Sequence, residues 1–269
     1  LTSDQLNGLA SDDLQALTTT QVKALSTDQI SDLTTDQLNA LTTLQVQALS
    51  STQISALSSA QLNGMTSDDL QALTTAQAGA LTSAQVPSLT VSQLQSIETQ
   101  DLAQMSTISV KSLTANQAKN LTTDQVASLT TAQITAIETA KFAELTTAQI
   151  VALTTQQMAG LTTAQLANMT SAQVAALETR DLVNLSTTQL QALTTAQMSQ
   201  LTTVQIANLT TSQVATLETN DVAVLTNLQV AAFTSTQLPV MTTDQLKALT
   251  STQVGALTSA QLPSFDTAQ

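Results

Sequence analysis

Cysteine, histidine, tryptophan and tyrosine are all absent from this chain of 269 residues. Without cysteine there are no disulfide staples and no thiolate metal sites, and the composition suits any compartment, the exterior included. Without histidine as well, the common acid–base pairs, activated nucleophiles and zinc centres have no members. Serine and threonine hydroxyls are plentiful, but no base is placed to activate one in particular, so the sequence reads as non-enzymatic. Aromatic residues make up 1% of the chain, which excludes a large core built around rings. Basic residues are scarce too: six Lys and Arg against 19 Asp and Glu leave a net charge of −13. That balance leaves no phosphate-binding patch and argues against nucleic acid or an anionic membrane as a partner. No apolar run approaches the roughly 20 residues that span a bilayer, so membrane insertion is not expected.

What is present is one short pattern, repeated. Set out in eights from Leu1, the chain reads LTSDQLNG, LASDDLQA, LTTTQVKA, LSTDQISD, LTTDQLNA, and the register holds for 33 octads before a final FDTAQ. Position 1 is always large and apolar, mostly Leu with some Met, Ile and Phe. Position 6 is usually Leu, Val or Ile, positions 2 and 3 are mostly Thr or Ser, position 5 is nearly always Gln, and position 8 is usually small. The chain is 42% hydrophobic, whereas disorder goes with low hydrophobicity and high net charge. A fixed period without a single insertion marks each octad as one geometric step of a stack with a thin, continuous core. Residues 1–269 therefore read as a single continuous solenoid with no distinct capping repeats. The first and last octads are as typical as the middle ones, and the chain starts in register at Leu1 without an initiator Met. A processed product, a fragment or part of a longer array is the expectation.

The octad suits neither a strand nor a long helix. Positions 1 and 6 differ in parity, so one extended strand cannot place both on one face. Two helical turns take about 7.2 residues, so an eight-residue stripe drifts around a continuous helix. Paired Thr hydroxyls also compete for helical backbone hydrogen bonds. A helix restarted in every octad resolves both difficulties. Thr at position 2 and Gln at position 5 make the S/T-x-x-E/Q capping box, with positions 1 and 6 as the hydrophobic staple at N′ and N4. Pro87, Pro239 and Pro263 all stand at position 7, which limits each helix to little more than one turn, partly 3₁₀ in character. Such helices persist only when stacking neighbours bury them. The expected fold is all-α, a solenoid of very short capped helices. A β-solenoid, whose corners could repair the parity problem, is the alternative.

A slower rhythm runs through the octads. Glu98, Glu138, Glu178 and Glu218 replace the position-2 Thr every 40 residues, and the same octads carry Asp101, Lys141, Asp181 and Asp221 at position 5. The spacing fits five octads per solenoid turn, or a duplication of 40 residues unrelated to the turn. With five per turn, Glu98, Asp101, Glu178, Asp181, Glu218 and Asp221 become a ladder of candidate oxygen ligands for Ca²⁺. Lys141 interrupts that ladder and no glycine-bearing Asp loop accompanies it. The plainer expectation is solvated charge that limits sideways association, with no resident cofactor. Regular threonine columns could meet ice or carry sugars, but helix capping already accounts for them.

The run ALTTAQITAIETAKFAELTTAQIVALTTQQ resembles octapeptide-repeat regions of very large bacterial secreted or cell-surface proteins, often taken to be adhesins. That resemblance implies export, a long array, and a structural or adhesive role. The stretch LTTxQVxAL also resembles the first helix of the plant-pathogen DNA-binding effector repeat. That repeat is much longer and its protein is basic, so the likeness reflects shared capping chemistry. Two functions follow as expectations. One is an extracellular or cell-surface fibre, filament or spacer that stacks head to tail with copies of itself. The other is a solenoid recognition module of a bacterial adhesin that binds a glycan, a protein or a cation. Positions 4 and 7 vary mostly among small and polar residues, a poor vocabulary for binding hot spots, and this favours the first.

Overall fold

The structure is a computed structural model that describes residues 2–265. Thirty α-helices of four to six residues and three 3₁₀ helices follow one another, one per octad, and no strand occurs among the described residues. The all-α solenoid of short capped helices is therefore the fold, and the β-solenoid alternative is excluded.

Each α-helix starts at position 3, with position 2 as its N-cap in extended conformation. In the fifth octad the Gln37 N–H donates to Thr34 Oγ1 at 3.2 Å, and the Thr34 N–H donates to Gln37 Oε1 at 3.1 Å. The capping box is thus closed in both directions, each cap being worth about 1 kcal/mol. The octad ends tightly: the Leu41 N–H donates to the Leu38 carbonyl at 3.2 Å, a bond spanning three residues, and Leu41 turns extended. The next cap follows at once, so a single residue separates this helix from the cap of the next, and one or two more intervene where the helix has five or four residues. The three prolines shorten their helices as their position predicts, leaving 3₁₀ turns at Val86–Ser88, Leu238–Val240 and Leu262–Ser264.

The chain separates into two compact units, Leu1–Glu144 and Leu145–Gln269. Within each, a helix packs against the helix three octads on: Ser3–Asn7 against Thr27–Asp32 in the first, Thr187–Gln191 against Thr211–Ala215 in the second. Side-chain bonds between turns join residues 25 to 31 apart in sequence. One solenoid turn therefore takes between three and four octads, not five. Positions 1 and 6 are buried through the interior of both units, and in the mature part of each stack they form the apolar core. At Gly64, in position 8, the chain runs close against the turn before. At Gly64 an added Cβ would meet Thr35 Cγ2 at 1.8 Å.

Leu94→Ala tests this nearest-neighbour core. Leu94 is fully buried, and its loss is expected to cost about 2–5 kcal/mol. Its helix packs on Ser67–Gln71 and Ala115–Lys119. Hydrogen exchange should quicken in those two helices and stay unchanged in octads remote from them.

Candidate functional site: a glutamine ladder and its acidic interruptions

The position-5 glutamine does more than close its own capping box. Gln93 Oε1 accepts from the Thr90 N–H at 2.8 Å, while Gln93 Nε2 reaches back to the carbonyls of Asn63 at 2.8 Å and Met65 at 2.7 Å. Those carbonyls end a helix in the turn before, where backbone acceptors lack an intrahelical partner. The same geometry recurs at Gln45, Gln53, Gln61, Gln77 and Gln133 in the first unit. In the second unit it recurs at Gln197, Gln205, Gln229, Gln245 and Gln253. One amide caps the start of its own helix and the end of another. These glutamines are buried, and a buried amide is tolerated because both its ends are satisfied.

Sequence reasoning gave Gln only the first of these bonds. The signal for the second was present: the capping box admits Glu as readily as Gln, yet Glu never occurs at position 5. Glutamate supplies the acceptor and lacks the donor that the neighbouring turn requires.

Where Gln is missing, the substitutes reveal what the place demands. Ser109 Oγ donates to the Leu81 carbonyl at 2.6 Å, 28 residues back. Lys141 Nζ donates to the Lys111 carbonyl at 3.0 Å, and lies 3.4 Å from Glu138 Oε2. Asp has no donor to offer. Asp69 turns inward to its own cap, accepting from Thr66 Oγ1 at 2.6 Å. Asp181 accepts from Thr155 Oγ1 at 2.7 Å, and Arg180 Nε lies 2.6 Å from Glu178 and 3.7 Å from Asp181. Asp101 Oδ1 is buried with no hydrogen-bond partner. Burial, followed by the charge of Glu218, pushes Asp221 up to about 6, with the Glu218 backbone hydrogen bond opposing the shift.

The six calcium candidates thus fall into pairs within octads rather than into one ladder. Glu98 pairs with Asp101, Glu178 with Asp181 and Glu218 with Asp221, and a turn shorter than 40 residues keeps the pairs from stacking in a column. Among the described residues no three acidic side chains converge. The expectation of solvated charge holds for the exposed position-2 glutamates and not for their partners: Asp101, Asp181 and Asp221 are 1–3% exposed. Beyond the first turn, position 5 is buried whether Gln, Ser or Asp occupies it, and half-buried where it is Lys141. The threonines at position 2 are engaged as caps, as the capping pattern requires.

Short capped helices in a fixed register, tied turn to turn by one amide, define a tandem-repeat solenoid protein. A model of the ALTTAQ repeat matches residues 6–43, 33–67, 43–75, 94–131, 134–171, 174–211 and 214–251, well over half of the chain. The chain belongs to the ALTTAQ repeat family. No curated protein matches it. The last four matched segments begin 40 residues apart, the spacing of the four glutamates, so that rhythm belongs to the sequence repeat and not to the solenoid turn. No described helix is long and apolar enough to cross a membrane.

Two measurements check the ladder. Gln133→Glu keeps the acceptor for Thr130 but aims a carboxylate at the carbonyls of Leu102, Ala103 and Met105. It should lose about 3 kcal/mol or more at neutral pH, and recover part of that in acid, where the carboxylic acid regains a donor. Chemical denaturation at two pH values reads both effects. Asp221 sets a second pH dependence. With its folded pKa near 6 and an ordinary value of about 3.9 in the unfolded chain, the folded state holds the proton more tightly. Its contribution is full below about pH 4 and is lost as the pH rises through 6. Asp221→Asn removes that dependence, so the variant should gain on the parent chain across the window and the gap should level off above it.

Proposed function

We propose that this chain is a non-enzymatic structural repeat, a fibre, filament or surface spacer outside a bacterial cell, whose turns add to one another end to end. The observation that carries the reading is the polarity of each turn. One face offers the amide donors of position 5, and the other offers the carbonyls that end the helices. The same two faces recur along each unit, so a turn of one copy is complementary to a turn of another in a head-to-tail sense. Contacts of that kind are heterologous and open, and they propagate instead of closing. The absence of histidine and cysteine and the engagement of position-2 hydroxyls in caps support a role without catalysis. An exterior location rests on the resemblance to secreted octapeptide arrays, and the lack of cysteine is compatible with it.

One observation favours recognition as a second reading. Val204 and Leu228 are 60% and 73% exposed, and the helices that carry them pack against each other. Exposed neighbouring apolar side chains are the beginnings of a binding patch.

Sedimentation velocity over a range of concentration separates the two. A structural repeat should assemble as concentration rises, with filaments visible by electron microscopy. Gln5→Glu with Gln21→Glu, at exposed ladder positions of the first turn, should suppress assembly without unfolding the chain. A parent chain that stays monomeric throughout sinks the end-to-end reading and leaves recognition.

A further inference from the structure

Asparagine stands at position 8 of four octads, as Asn120, Asn168, Asn184 and Asn208. In each case the next octad supplies an apolar residue at position 1 and a hydroxyl at position 2, so the chain reads NLT, NMT, NLS and NLT from these asparagines. That is the N-x-[ST] acceptor pattern for sugars, with no proline in the middle place. Asparagines elsewhere in the octad lack it. Asn7, Asn39 and Asn63, at position 7, have an apolar residue two places on instead of a hydroxyl.

The pattern falls at the junction between two helices. The helix Thr163–Ala167 ends at Asn168, with φ −95° and ψ −1°, and Thr170 is extended. Asn208 closes the helix Thr203–Asn208, and Thr210 is extended. Asn168, Asn184 and Asn208 are all exposed. Their side chains are nonetheless held in place, because each Nδ2 donates to the position-4 carbonyl of its own octad: Ala164 at 2.8 Å, Arg180 at 2.6 Å and Val204 at 2.8 Å. An amide NH₂ carries two hydrogens. One is spent on that bond and the second is available, so a substituent on Nδ2 leaves the bond in place. Asn120 differs. It is half-buried, and the Gln95 side chain donates to its carbonyl at 2.6 Å.

We propose that Asn168, Asn184 and Asn208 are N-glycosylation sites, acceptors for a sugar activated at its anomeric carbon as a diphosphate ester. In the transfer Nδ2 forms a bond to the anomeric carbon, and the bond from that carbon to the phosphate oxygen breaks. The diphosphate leaves with the electron pair, and the nitrogen gives up one proton to a base of the transferase. The chemistry at the asparagine is the same whether a nucleotide or a lipid carries the diphosphate. All three sites lie in the second unit. Asn184 follows the helix Thr179–Leu182, which packs against Thr203–Asn208. A sugar on Asn208 stands one helical turn from Val204, which is 60% exposed, and gives that apolar side chain a polar neighbour. The inference requires a transferase and no second copy of the chain, so it stands or falls apart from the fibre reading.

Peptide mapping by mass spectrometry, on the intact chain isolated from its source, tests the assignment. Sugar masses are expected on Asn168, Asn184 and Asn208. None is expected on Asn7, Asn39 or Asn63, which are just as exposed and lack the hydroxyl. Stepwise increments of single sugars identify a nucleotide-linked donor, and one preassembled oligosaccharide a lipid-linked one. The hydroxyl is then separated from the cap. Thr170 Oγ1 accepts from the Gln173 N–H at 3.2 Å, a role that Asp fills as well as Thr at an N-cap, but Asp has no hydroxyl for the acceptor pattern. Thr170→Asp, produced in the same source, should therefore leave Asn168 bare, while Thr170→Ser should keep its sugar. Circular dichroism verifies that both variants fold. Bare asparagines at all three sites overturn the assignment. A sugar retained on Asn168 in Thr170→Asp does so as well, and so does equal occupancy of Asn7, Asn39 and Asn63.

Discussion

Everything in this fold depends on one amide that faces two ways. The carbonyl half of the position-5 glutamine completes the start of its own helix, and the NH₂ half completes the end of a helix one turn earlier. Asparagine is a methylene shorter and glutamate lacks the donor, so glutamine alone among common residues carries both bonds at that reach. A net hydrogen bond is worth about 0.5–1.5 kcal/mol, whereas a buried polar group left without a partner costs about 1–3 kcal/mol. The amide is therefore a condition on the stack more than a source of its stability, which comes from the apolar columns at positions 1 and 6. Helices of four to six residues do not stand alone in water. They stand here because each is capped at its start within its own octad and, through most of the stack, tied at its end to an amide of the turn that follows.

The local half of the structure was legible in the sequence because it is made by side chains close together along the chain. Cap, box and staple fall within one octad, and Pro87, Pro239 and Pro263 mark where the helix must end. The size of the turn was not legible. The partners of the glutamine amide across the turn are main-chain carbonyls, which every residue possesses, so no residue pattern records them. The only long period visible in the residues, the 40-residue return of Glu98, Glu138, Glu178 and Glu218, belongs to the sequence repeat and suggested a turn of five octads. The acidic candidates were misjudged for a related reason. Asp101, Asp181 and Asp221 were read by residue type, as charges that seek water, whereas their depth is set by position 5.

The few departures from the repeat are where its chemistry gathers. Ser109 still donates, Lys141 donates and adds charge, Asp69 folds back on Thr66, and Asp181 leans on Thr155 and Arg180. Each is a different answer to the loss of one NH₂ group at one place. The surface, by contrast, is mostly small and polar, with Leu44, Ile108, Val204 and Leu228 as exposed apolar exceptions at position 4. The octads thus keep their interior bonding while leaving their exterior plain, which is what the proposed structural role requires.

The fixed length of the junctions between helices has a consequence for how such a gene changes length. Each octad bonds to those three and four places behind it, and all offer the same carbonyls. Copying errors that add or drop multiples of 24 nucleotides therefore hand every amide a new partner equivalent to the old one. An in-frame change of any other size breaks the register, and a residue other than glutamine then stands where the amide must be. The ladder survives a change of length only when the change is made in whole octads.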